Sequence, residues 1–182
     1  MVKKKITSIT SLLIALSLVF CLFVTGCSSD KDDDKEEKIT VASTNGRVSR
    51  YKTYKFEQYG NCKATVYLRY REGSDLLAEI EGKVTLYDSR ENLSKTLSDF
   101  GAIKEKIEAL GSADASLEYH ELSSGDIEVS YSFVNLDQPG NKSVAEIVED
   151  FVGVTANADG TFNIESSEDT FVAGGYVLVD SN

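Results

Sequence analysis

The sequence predicts an α+β domain in which hairpins build an antiparallel sheet, packed with one long and one or two short amphipathic helices. Three observations predict it. From Cys62 to Leu86 apolar residues recur at alternate positions, the period of half-buried strands. From Leu93 to Leu110 they recur at spacings of three and four, the period of one helix face. From Leu117 to Phe133 alternation returns on either side of a Ser-Ser-Gly-Asp turn. A sheet with one apolar face and helices with one apolar stripe bury both only by forming two layers.

Each element has its own justification. Tyr51 to Phe56 predicts a short first strand, bounded by the turn signals Asn45-Gly46 and Gly60-Asn61. In the next, Cys62, Ala64, Val66, Leu68 and Tyr70 share one face, while Lys63, Thr65, Tyr67 and Arg69 share the other. Glu72-Gly73-Ser74-Asp75 supplies a turn, after which Leu76, Ala78, Ile80, Val84 and Leu86 continue the apolar face. Glu79, Glu81, Lys83 and Thr85 fall on the opposite side, which predicts a solvated face. Leu93, Leu97, Phe100, Ile103, Ile107 and Leu110 then form one stripe on a helix over 89–110, opened by Asp88 with Glu91 as a capping pair and closed by Gly111. Leu117 and Tyr119, the turn at 123–126, and Ile127, Val129, Tyr131 and Phe133 make a second hairpin. Ser143 with Glu146 opens a short helix through Val144, Ile147, Val148 and Phe151, ending at Gly153. A turn-like segment leads on to Phe171 and Val172, a break at Gly174-Gly175, and a last strand from Tyr176 to Val179.

The N-terminal region reads as an address. Lys3, Lys4 and Lys5 precede an apolar run from Leu12 to Val24 broken by Ser17, the arrangement of an export signal. The run falls short of the roughly 20 apolar residues that span a bilayer comfortably. Its end, Val24-Thr25-Gly26-Cys27, resembles the lipobox of bacterial lipoproteins. That resemblance implies a signal peptide over 1–26, cleavage before Cys27, and lipidation of the Cys27 sulfur. One acyl chain holds a membrane marginally, and two or more anchor it at about 0.8 kcal/mol per buried methylene. The segment from Cys27 to Lys38 holds the charged run Asp30 to Lys38 and no large apolar residue, so it is expected to be a solvated, flexible tether. Residues 39–182 are then long enough for a single globular domain with its own core.

Charge and cysteine usage narrow the function classes. The chain has 30 acidic and 19 basic residues, a formal net charge of −11. Loss of residues 1–26 removes three lysines and no acid, which takes the remaining chain to −14. So acidic a protein is a poor direct ligand for nucleic acid or for an anionic bilayer. Of Cys21, Cys27 and Cys62, the first leaves with the signal and the second becomes a thioether, so Cys62 is left as the single thiol and no intrachain disulfide is available. It shares parity with Ala64, Val66 and Leu68, which predicts a buried small hydrophobe.

Layout adds a family resemblance. The lipobox signal, the hairpin at 62–87, the helix at 89–110, the hairpin at 117–136 with "YSFVNLD" and the late "SSEDTFVAGGYVLV" together resemble the YehR-like small bacterial lipoproteins. The resemblance implies a lipid-anchored α+β domain and transfers no catalytic or binding residue.

Candidate chemistry is sparse. Thr155 to Ser166 resembles a calcium loop, with Asn157, Asp159 and Gly160 in place, but Thr155 and Ser166 stand where the first and last carboxylates are needed. An Asp-Gly turn is the expectation there. His120, the one histidine, has the parity of a solvent-facing strand residue, so neither a histidine metal cluster nor a hydrolytic triad is expected. Gly174-Gly175 lacks the lysine and the strand-to-helix context of a phosphate loop.

The expectation is therefore a lipid-anchored protein on the extracytoplasmic face of the cell membrane, acting by binding or structural association and not by catalysis. No catalytic residue, metal ligand or cofactor site is assigned, and the partners expected are the membrane, through Cys27, and an envelope protein. One alternative is an accessory ligand-binding lipoprotein of a transporter or sensor. Another is an envelope hydrolase, disfavoured by the shortage of histidine and activated thiol.

Overall fold

A computed structural model describes residues 48–58, 62–87 and 90–182. The signal segment, Cys27, the charged tether, Asn45-Gly46, Gly60-Asn61 and Asp88 lie outside the described residues, as do the side chains of Glu91 and Leu93. In chain order the described elements are β1 (Arg50–Gln58), β2 (Cys62–Tyr70), β3 (Leu77–Leu86), α1 (Arg90–Leu110), β4 (Ala115–Glu121), β5 (Ile127–Phe133), α2 (Lys142–Val152), α3 (Ile164–Ala173) and β6 (Val177–Ser181). The strands form one six-stranded sheet in the order β4-β5-β3-β2-β1-β6. Each neighbouring pair is antiparallel, so the fold is α+β as expected.

The core lies between one sheet face and the helices. Val66, Leu68, Ile80, Val84, Val129 and Phe133 from the sheet are buried in one cluster with Phe100, Ile103 and Ile107 of α1 and Val144, Val148 and Phe151 of α2. The α1 stripe therefore buries the face that its spacing predicts. Aromatic rings tie the layers together: Phe151 meets Tyr131 edge-on at 5.0 Å and Phe100 at 6.2 Å between centroids. Gly82 makes one of these contacts possible. It stands opposite Tyr131 in the β3–β5 register, and a Cβ at this position would lie 2.1 Å from Cζ of the tyrosine ring. The ring occupies the space that any side chain would take.

Four expectations need correction. First, the strand alternation does not run unbroken to Leu76. A bulge between Arg69 and Tyr70 pairs Tyr70 with Leu77, and Leu77 is fully buried while Leu76 forms an isolated bridge to Asn163. Second, Ser143 does not cap α2, because the helix already includes Lys142 and its N-cap is Asn141, whose side chain makes no capping bond. Third, the segment before Phe171 is a helix and not a turn. Asn163 caps α3, its side chain accepting from Ser166 N at 3.1 Å, and the buried face consists only of Ser167 and Phe171. One turn of apolar spacing with a serine in it is too weak a periodic signal to read. Fourth, the face carrying Glu79, Glu81 and Thr85 is not solvated, as developed below.

Candidate functional site: the polar sheet face and the β6 edge

The sheet's second face gathers the ionisable side chains. Arg69 and Glu79 are register partners across the β2–β3 hairpin, and Tyr67 stands opposite Glu81. The Arg69 guanidinium reaches both carboxylates, with Nη1 2.8 Å from Glu81 Oε2 and 3.4 Å from Glu79 Oε2. It also lies 5.7 Å from the centroid of the Tyr67 ring, within cation–π range. Glu79 and Glu81 are each only 6% exposed, which overturns the expected solvated face. The physical reason is position. β3 is the third strand of six, with β2 and β5 on either side, and its short-pitched carboxylates sit under a long arginine that folds onto them. Burial raises the Glu81 carboxyl above its ordinary range, and the charge of Arg69 offsets part of that shift. One guanidinium thus lies against two carboxylates, donating to Glu79, while the buried Glu81 Oε2 is held by charge and accepts no hydrogen bond.

Other charged groups on this face are paired as well. Lys83 Nζ lies 2.8 Å from Glu128 Oε2, and His120 Nε2 lies 3.6 Å from the other oxygen of that carboxylate. The imidazole is 60% exposed, as the strand parity of His120 predicts. Beyond the hairpin turn, Arg71 Nε donates to Asp137, which also accepts from Gln138 Nε2 at 3.1 Å. Burial acts to raise the Asp137 carboxyl, but these hydrogen bonds and the Arg71 charge outweigh it and hold it below its usual range.

The remaining sequence candidates have structural partners. Cys62 is buried at the start of β2, where burial pushes its thiol up and away from thiolate chemistry. Asp159 belongs to a turn closed by Gly160 N donating to Asn157 O at 2.9 Å, and its Oδ1 accepts from Thr161 N and Thr161 Oγ1 at 3.0 and 2.7 Å. Those hydrogen bonds hold its carboxyl below the ordinary range. Among the described residues no three histidine, cysteine or carboxylate side chains group as a metal site. Gly174-Gly175 forms the joint between α3 and β6, with Gly175 at φ +87° and Tyr176 N donating to Phe171 O at 3.0 Å.

Two features escape the sequence reading. The Arg69–Glu79–Glu81 unit rests on opposite charges at the facing positions Arg69 and Glu79, with Glu81 two positions along the same strand, but alternation alone counts such positions as solvated. The second feature is the edge strand β6, where Val177, Leu178 and Val179 are 63%, 46% and 50% exposed. Val172, in the last turn of α3, is 60% exposed beside it in sequence. An apolar run of this kind reads as core by composition, and only its place at the end of the sheet exposes it.

Comparison with known proteins is sparse. No protein-family model matches the chain, and no curated protein matches it significantly. Two solved structures are similar. A protein from Streptococcus pneumoniae TIGR4, determined by NMR, shares 15% identity, with 86% of this chain and 99% of that chain covered and a TM-score of 0.44. The YehR protein of E. coli, also determined by NMR, shares 12% identity, with 74% of this chain and 94% of that chain covered and a TM-score of 0.46.

Proposed function

We propose that this chain is a lipid-anchored protein of the extracytoplasmic membrane face, attached through Cys27, and that its folded domain acts by binding and not by catalysis. The observation that carries the reading is the run Val24-Thr25-Gly26-Cys27 at the end of an apolar segment that follows three lysines. The anchor supplies the membrane affinity that an acidic chain lacks. Among the described residues no helix is long and apolar enough to cross a membrane. A non-catalytic role is supported by how the ionisable groups on the sheet face are used: Arg69 ties up Glu79 and Glu81, and Lys83 pairs with Glu128.

The test is the mass and partitioning of the full-length protein made in a bacterial envelope. The N-terminal peptide of the processed chain should begin at Cys27 and be heavier than its sequence by a lipid, and the protein should enter the detergent phase. Cys27→Ala should abolish both. A Cys27→Ala protein that is processed normally and still fractionates with membranes would overturn the reading.

A further inference from the structure

We infer that β6 is a releasable strap on the second edge of β1, and that the edge it bares is a docking site for an extended partner segment repeating its pattern, three apolar residues and then an acid. The inference deepens the binding role proposed above and does not depend on the lipid. Its first support is where burial stops. Each of the other five strands buries side chains in the core, whereas all five residues of β6 are exposed. A strand that buries so little opens at a free energy well below that of global unfolding.

The second support is the set of contacts on either side of that boundary. α3 stays in place without β6: Phe171 is buried, and Glu168 accepts from Tyr54 Oη at 3.1 Å and pairs with Lys52 Nζ at 2.5 Å. Tyr176 stays as well, since its ring packs against both Phe56 and Phe171 at 5.2 Å between centroids and its N donates to Phe171 O. Beyond Tyr176 the described holds are main-chain pairing with 52–55, which a bulge between Thr53 and Tyr54 interrupts, and two bonds to Tyr51. Asn182 N donates to Tyr51 O at 3.0 Å, and Tyr51 Oη donates to Asp180 Oδ2 at 2.9 Å.

The contacts of β6 define what fits the β1 edge. β6 is the ligand already in place, and its register sets the requirements: an apolar side chain beside Tyr54, where Leu178 stands, and a carboxylate within reach of Tyr51 Oη, where Asp180 stands. Main-chain bonds to β1 supply affinity and these two positions supply selectivity, the mode by which a peptide adds to a sheet edge. A second copy of this chain does not qualify, because the fixed Tyr176 keeps each strap beside its own β1 and the six residues beyond it are all needed for pairing. The occupant is therefore a segment of another protein, and its apparent affinity is its intrinsic affinity scaled by the fraction of chains with β6 released.

The experiment uses the full chain in mild detergent and, as the probe, a labelled peptide with the sequence of residues 177–182. Binding is read by fluorescence anisotropy and the footprint by hydrogen exchange. Without peptide, 177–181 should exchange faster than β2, β3 and β5. With peptide, 52–55 should gain protection while the chain's own 177–181 exchanges faster still, the signature of one strand replacing another. Asp180→Ala in the chain weakens only the strap, so the peptide should bind about fivefold more tightly. Tyr51→Phe removes the same hydrogen bond from strap and peptide alike, so the affinity should not change. Should Asp180→Ala fail to fold, a peptide with alanine in place of its aspartate decides the same point on the unaltered chain, where it should bind about fivefold more weakly. Exchange at 177–181 as slow as in β5, peptide protection that falls elsewhere, or an affinity that ignores the aspartate overturns the inference. So does protection of 52–55 that rises with chain concentration alone, which would make a second copy the occupant. Loss of the lipid mass at Cys27 would leave these readouts unchanged, so the two proposals fail separately.

Discussion

Gly82 and Tyr131 illustrate how one missing atom governs the apolar face. The tyrosine ring lies where a Cβ at 82 would be, so Gly82→Ala must move the ring or the strand. Overpacking a core costs about 1–3 kcal/mol, and that loss is expected in the urea midpoint. The double variant Gly82→Ala, Tyr131→Leu should lose less stability than the sum of the two single variants, because the smaller side chain vacates the space. A loss below about 0.5 kcal/mol for Gly82→Ala alone would mean that the ring is free to move. On the polar face, Arg69→Met keeps the stem and removes the charge, leaving two buried carboxylates unpaired. Breaking a buried ion pair in this way costs about 3–5 kcal/mol at neutral pH. The loss should shrink as pH falls, because protonating Glu81 removes one of the two unpaired buried charges. The native chain has a milder version of the same dependence. Burial raises Glu81 above its unfolded value, so its contribution favours folding at low pH and is lost as pH rises through the raised value. Asp137 runs the opposite way: its lowered carboxyl contributes fully above the ordinary value, and that contribution is lost as pH falls through the lowered one. Glu81→Gln should therefore flatten the decline of stability with rising pH just above the ordinary carboxylate range. An unchanged slope would place the titrating group elsewhere.

Among the elements, α1 and α3 are held in place by different forces. α1 depends on burial, since Phe100 is 2% exposed and its ring meets both Phe151 and Tyr119. Phe100→Ala should cost about 3–5 kcal/mol in denaturant unfolding, the range for deleting a buried aromatic side chain. A loss under about 1 kcal/mol would reject the packing of this helix face. α3 depends more on its start. Asn163 accepts from Ser166 N through its side chain and from Ser167 Oγ at 2.8 Å through its carbonyl, and it bridges to Leu76. Asn163→Ala should destabilise by about 0.5–2 kcal/mol, as expected for a lost cap. Faster hydrogen exchange should be confined to α3 and β6, which the short Gly174-Gly175 joint connects. Exchange that rises equally in α1 would show that the cap supports the whole domain.

For the whole molecule the governing quantity is the excess of acid. With a net charge of −11 and a C-terminal region free of lysine and arginine, the fold carries self-repulsion that solvent ions screen. Raising sodium chloride from low salt to 0.5 M should therefore raise the thermal midpoint. A fall would mean that the surface ion pairs, such as Lys104–Glu118, matter more than the net field. The expected direction follows from the small net value of exposed pairs, about 0–1 kcal/mol each.

Periodicity by itself determined the central hairpin, the second hairpin and the stripe of α1. Strand alternation and helix spacing are local properties, and Cys62–Tyr70 and Phe100–Ile103–Ile107 obey them without help from distant residues. The region before β1 likewise states its charge and apolar run in linear form. Tertiary structure alone decided three matters. It buried Glu79 and Glu81, because a strand's place in the sheet order is set by which strands pair with it, and no spacing along β3 encodes that order. It made a helix of Ile164–Ala173, where the cap at Asn163 and one buried turn suffice once the sheet is there to receive Phe171. And it left Val177, Leu178 and Val179 exposed, because the same apolar run would be core on a central strand and is surface on an edge, a difference made by neighbours that lie far away in the chain.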